Sequence, residues 1–233
     1  MLIFHACTTS RPATETSGYA RTSPAPSYDL IEKSLFNAPD RTISEEDIQR
    51  LLNGKLNIPD TVRIAIFDYS ASSRSNYYSN YYLPWNDEER LKTQQGYIDT
   101  LRSGIARSRK VKKIVLMPSV MANANSSITN LRETAVRLQA DYLMIYVIKS
   151  DIFYKYKAFN PDEAKAFATC EVLLMDTRTG LVPYTAIVTK DRLLTKTAAD
   201  LNVQELRKRA ERESIVMTLA EIGSGVAGFF DGH

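Results

Sequence analysis

The stretch from Ala140 to Ile187 constrains the fold most, because it reads as three consecutive strands joined by short turns. Asp141–Lys149 (DYLMIYVIK) is apolar on both faces, as a strand in the middle of a sheet must be, and it runs on through Ile152–Phe159. Asn160-Pro161-Asp162-Glu163 supplies a turn. Lys165–Asp176 then alternates, with Ala168, Cys170, Val172 and Leu174 on one face. Asp176-Thr177-Arg178-Thr179-Gly180 is the next turn, Asp capping with its side chain and Gly supplying positive φ. Leu181–Leu193 returns as the partner strand. Pro183 cannot donate to a ladder and predicts an edge or bulge there.

The remaining elements are read around this core. Thr61–Tyr69 alternates Val62, Ile64 and Ile66 with Arg63, Ala65 and Phe67, a strand pattern, and Val111–Met117 predicts another. Tyr28–Asn37 predicts a short helix. Ser44, three residues ahead of Asp47, marks a helix start; that helix turns Ile48, Leu51 and Leu52 inward and stops at Asn53-Gly54. Asn86–Ser108 predicts a helix capped by Asn86 and acidic in its first turn, with Leu91, Ile98, Leu101 and Ile105 on one face. The basic run RSRKVKK at its end suits the negative end of the helix dipole and needs no polyanion. Ser127–Gln139 and Asn202–Ile222 predict two more helices, the last with Val203, Leu206, Ala210, Met217 and Ala220 inside.

The expected fold is therefore one α/β (α+β) domain over 28–222, a mixed, mostly antiparallel sheet with helices packed on it. Residues 1–27 read as a signal remnant and flexible tether, and 223–233 as a glycine-rich tail. The 44% apolar and 24% charged content is that of a globular chain able to bury a full core. A net charge of +3 is too mild to argue for nucleic acid. No continuous apolar run approaches the ~20 residues that span a bilayer.

Chemistry-bearing residues are few. The only histidines are His5 and His233, both in the terminal segments, which argues against a His-dependent triad or a His-bearing zinc site. Asp68, Asp141 and Asp176 each have an ordinary turn or cap role, yet could converge. TRTG lacks the Gly-rich loop and Lys-Ser/Thr of a phosphate cradle. No cofactor is expected. Cys170 sits on the packed face of its strand and reads as a reduced core thiol.

The oddest composition is Ser70–Trp85 (SASSRSNYYSNYYLPW). Tyr77, Tyr78, Tyr81, Tyr82 and Trp85 offer large rigid contact area with polar tips, the chemistry of a stretch that grips a partner. The same aromatics could equally cover an open face of their own domain. Few cations interleave, so a nucleic-acid stacking platform is not expected.

At the amino terminus, MLIFHAC followed by a Ser/Thr/Pro-rich tail resembles the end of a bacterial lipoprotein signal peptide, with Ala6 before the cut and Cys7 the lipidated residue. A start site further upstream would supply the rest of such a leader. The order of elements also resembles a class of envelope lipoproteins: the curli-secretion lipoprotein, the lipoprotein activators of penicillin-binding proteins, and the amino-terminal domain of the Tol β-propeller protein. RIAIFDY at 63–69, LRETAVRLQADYLMIYVI at 131–148 and EVLLMDTRTGLV at 171–182 carry that likeness. Within the class it is most similar to uncharacterised rhombotarget lipoproteins, whose name implies a carboxyl-terminal glycine-rich signal, matched only in part by Gly223–Gly228. The resemblance implies a non-catalytic role: binding a protein partner or self-assembling in the periplasm, held to the outer membrane by a lipid anchor. The other class of reading is a soluble enzyme using Asp68 and the tyrosine-rich stretch.

Overall fold

The computed structural model describes residues 20–21, 44–69, 87–118, 120–122, 126–157 and 161–232. The expected tether over 1–27, apart from Ala20–Arg21, the candidate lipidation residue Cys7, the expected 28–37 helix and the tyrosine-rich stretch lie outside the described residues. In chain order the elements are β1 (Ala20–Arg21), α1 (Glu45–Leu52), β2 (Val62–Asp68), α2 (Asp87–Ile105) and β3 (Val111–Leu116). They continue as α3 (Ile128–Arg137), β4 (Tyr142–Lys155), β5 (Glu163–Asp176), β6 (Tyr184–Thr195) and α4 (Val203–Asp231).

The strands form one mixed sheet in the order β3-β2-β4-β5-β6, with the two-residue β1 paired to the far end of β4. β2 runs parallel to both β3 and β4; β4–β5, β5–β6 and β1–β4 are antiparallel. The doubly apolar β4 lies in the middle, buried from Tyr142 through Ile148. The α/β fold class, a mixed sheet with helices packed on it, is as the sequence predicts.

Two faces produce two cores. On one, Val62, Ile64, Ile66, Tyr142, Met144, Cys170 and Leu174 meet Leu101 and Ile105 of α2 and Ile215, Leu219, Ile222 and Phe230 of α4. On the other, Ala65, Phe67, Leu143, Ile145 and Met175 meet Leu131 and Ala135 of α3. Each large side chain buried this way contributes about 1.5–3 kcal/mol. The crossovers thus run β2-α2-β3 on one face and β3-α3-β4 on the other. A chain that reverses its winding direction about β2 with right-handed crossovers must do this.

Several expectations are corrected. The glycine-rich 223–233 segment is not a tail: α4 continues through Gly223, Gly225 and Gly228 to Asp231. The reason is at Gly104 of α2 and Gly223 of α4, where a Cβ on either would sit 2.8–2.9 Å from the opposite backbone. The two helices cross in contact, and only glycines permit it. Met217 is 41% exposed, while Ser214 and Thr218 take the inward positions. Thr218 Oγ1 bonds the carbonyls of Ala168 (3.1 Å) and Ser214 (2.8 Å), which makes a buried hydroxyl tolerable. Leu91, expected on the inward face of α2, is exposed at the near end of that helix. Pro183 lies in the connection just ahead of β6 rather than inside it, and β6 is an edge strand, as the proline predicts. The last 29-residue helix is long and apolar enough to cross a membrane by length and composition, but its apolar face is the lid of the main core.

The first helix also departs from its reading: Ile48 and Leu52 are exposed and none of its residues is buried, although its cap forms as read. Ser44 Oγ accepts from Asp47 N at 3.1 Å and Ser127 Oγ from Asn130 N at 3.3 Å, each satisfying a free helix donor.

Candidate functional site

The parallel strands β2, β3 and β4 direct their carboxyl ends to one end of the sheet. At that end β2 finishes in Asp68, in register with Tyr146 of β4, and Tyr69 follows it. Phe67 and Tyr69 stack edge-on, centroids 6.3 Å apart. Met117, just past β3, closes the same end by donating its N–H to Ile66 O at 2.8 Å. Winding reverses beside β2, and in open α/β sheets ligands bind beyond the strand ends at such a point. The tyrosine-rich stretch follows directly on Tyr69 in the chain. Tyr77, Tyr78, Tyr81, Tyr82, Trp85 and Cys7 themselves lie outside the described residues.

The three carboxylates singled out from sequence do not converge. Asp141 precedes β4 and Asp176 pairs with Tyr142 at its start, whereas Asp68 pairs with Tyr146. Four residues of strand put about 13 Å between those levels. Asp141 instead accepts from Arg63 N at 3.0 Å and faces the Arg178 guanidinium at 3.3 Å. Asp176 Oδ1 accepts from Arg178 N (2.8 Å) and Thr179 N (3.4 Å), a side-chain-capped turn. Among the described residues no three His, Cys, Asp or Glu side chains gather as metal ligands.

Cys170 is a free, buried thiol. Burial first, then the negative charges of Asp68 and Glu171, push it up to about 12. At neutral pH it stays protonated, a core residue and no nucleophile. Tyr142 is likewise pushed to about 12, by burial and then by Asp176 and Asp141, and its hydroxyl has no hydrogen-bond partner. Its ring packs edge-on against Phe230 at 5.1 Å, which accounts for its place.

The DTRTG motif is fully used by the fold. Gly180 has φ +79° and its N–H bonds Asp176 O at 2.8 Å. Thr177 Oγ1 reaches Ala140 O and Asp141 O at 2.8 and 2.9 Å. Arg132 of α3 donates from Nε to Thr177 O (2.7 Å) and from Nη2 to Arg178 O (2.6 Å), lying over Gly180. Sequence reading missed Arg132. No local signal marks it, because its partners are 45 and 46 residues away.

No family model matches the chain, and no curated protein does. Among solved structures it is similar to hypothetical protein CT253 from Chlamydia trachomatis: 15% identity over 74% of this chain and 99% of that one, TM-score 0.43. It is also similar to a minor lipoprotein from Acinetobacter baumannii, 11% identical over 71% of this chain and 92% of that one, TM-score 0.38. Lipoprotein GNA1162 from Neisseria meningitidis matches at 9% identity over 69% and 99%, TM-score 0.32. Identities and scores at this level assign neither activity nor partner.

Proposed function

We propose that this chain is a non-catalytic bacterial cell-envelope lipoprotein, lipidated on Cys7 and working in the periplasm by binding protein or by self-assembly. The observation that carries the reading is the placing of the tyrosine-rich stretch. In the chain it follows directly on Tyr69, past the carboxyl end of β2. The tether meets the body toward the same end, since β1 pairs with Phe153 and Tyr154, beyond the level of Asp68. The outer membrane is the membrane this reading assigns.

The test compares cross-linked species in native membranes for the wild type, for Asp68→Asn, and for a variant with Tyr77, Tyr78, Tyr81, Tyr82 and Trp85 all changed to Ser. Loss of discrete high-mass species in the aromatic variant, with Asp68→Asn unchanged, is the expected result. Species that survive the aromatic variant would overturn the binding role of that stretch. Species lost with Asp68→Asn would return attention to the enzyme reading.

A further inference from the structure

The two edges of the sheet are built differently. β3, at one edge, has six residues, a register irregularity against Val62/Arg63 and two exposed lysines in succession, Lys112 and Lys113. Shortness, a bulge and lysines are the usual means of keeping an edge from pairing with a foreign strand. β6, at the other edge, lacks the first two, and its one lysine is tied to its own molecule. It runs for twelve residues and pairs with β5 residue for residue, without a shift. Among the described residues no strand lies on its outer side.

The side chains of β6 divide in two. Lys190, Asp191 and Arg192 are each held by an opposite charge of the same molecule, Glu221, Lys165 and Glu213 in turn. Tyr184–Thr189 (YTAIVT) carries no charge and is β-branched or aromatic except at Ala186. One face of this half is packed: Tyr184 lies against Phe229 of α4, ring centroids 5.6 Å apart, and Ala186 and Val188 join the main core. On the other face Thr185, Ile187 and Thr189 are exposed, Ile187 to 73%. An uncharged six-residue run of high β propensity on an open edge is the composition that takes up a further strand.

We infer that β6 pairs antiparallel with β6 of a second copy of this chain, about a two-fold axis at Ile187. This rests on the self-assembly half of the proposed function and gives it a surface in the described fold. A two-fold antiparallel pair sets one residue opposite its own copy, and charge decides which residue that is. An axis at Lys190, Asp191 or Arg192 sets like charges face to face, and one at Thr189 sets Ile187 against Asp191. An axis at Val188 sets Ala186 against Lys190, and one nearer either end shortens the overlap. With the axis at Ile187 the overlap is Tyr184–Lys190. Ile187 then meets Ile187, Ala186 meets Val188 and Thr185 meets Thr189, with each Lys190 stem beside a Tyr184 ring. Asp191 and Arg192 fall outside it. The half of the strand that matches itself is the uncharged half, which favours a second copy over an unrelated strand.

The experiment uses the full chain with Cys7→Ser, so its outcome is independent of acylation. So short an overlap makes a small interface, and association is followed by sedimentation from about 1 µM to about 1 mM. The expected result is a monomer–dimer equilibrium weakened roughly tenfold or more by Ile187→Lys, which sets two ammonium groups opposite each other. Thr195→Lys, outside the overlap, should weaken it less than about threefold. Within one copy the two changes are matched, because Ile187 lies opposite Glu171 of β5 and Thr195 opposite Glu163. On oxidation Ile187→Cys should form a disulfide between copies, while Thr189→Cys, about 13 Å from its own copy, should not. Cys170 is buried and does not compete. A monomer at every concentration overturns the inference and leaves the edge to a strand of another protein. Equal weakening by both lysines, or equal cross-linking at both cysteines, also overturns it. A dimer lost only when Tyr77, Tyr78, Tyr81, Tyr82 and Trp85 are changed to Ser moves assembly to that stretch, overturning this site but not the proposed function. Matching melting curves exclude misfolding as the cause.

Discussion

At the scale of single residues, charge and backbone conformation make two separate predictions. Asp200 receives Arg209 in a two-point contact, 3.1 and 2.7 Å, and the N–H and hydroxyl of Thr197 at 2.8 and 2.9 Å. The Arg209 bonds foremost, with the Thr197 N–H next, hold its carboxyl down at about 2. A free carboxylate titrates near ~4, so the folded value is depressed. The stabilisation is then complete above ~4 and is lost as pH falls from ~4 toward 2. Asp200→Asn should lower the melting temperature at pH 7 and flatten the acid limb of the wild-type stability profile. An unchanged acid limb would show that Asp200 does not drive it. Gly180→Ala must hold a Cβ at φ +79° against Arg132. It should lose about 1–2 kcal/mol in denaturant unfolding. Arg132→Met strips two carbonyls of their donor and should cost a similar ~1–3 kcal/mol.

At the scale of elements, the crossing of α2 and α4 accounts for the glycine-rich end of the chain. Gly104→Ala or Gly223→Ala places a methyl on the facing backbone and must push the helices apart, at about 1–3 kcal/mol each. The double substitution should cost less than the sum, because the first has already opened the crossing. Gly228→Ala and Gly96→Ala meet nothing within 4 Å and should instead stabilise by up to ~1 kcal/mol through helix propensity. Melts showing the same sign at all four positions would refute this account of the crossing. The strands were legible because alternation and the doubly apolar β4 are local properties. The last two turns of α4 were not, because Gly–Gly contact belongs to a pair of helices far apart in sequence. Arg132 and the inward Ser214 and Thr218 were hidden for the same reason: their hydrogen bonds, not their polarity, decide their places.

At the scale of the whole molecule, the arrangement is bipolar. Ala20–Arg21, Asp68 and Tyr69 lie toward one end of the sheet. The strand starts and the DTRTG turn lie at the other. Of the candidate site, Asp68 was legible as a strand end, but its separation from Asp141 and Asp176 depended on register, which sequence did not specify. The account stands on the anchor at Cys7. The deciding measurement expresses the gene in a bacterial host, feeds labelled fatty acid, and fractionates the cells. The account predicts label on the protein in the membrane fraction, abolished by Cys7→Ser. An unlabelled product in the cytoplasmic fraction would contradict it.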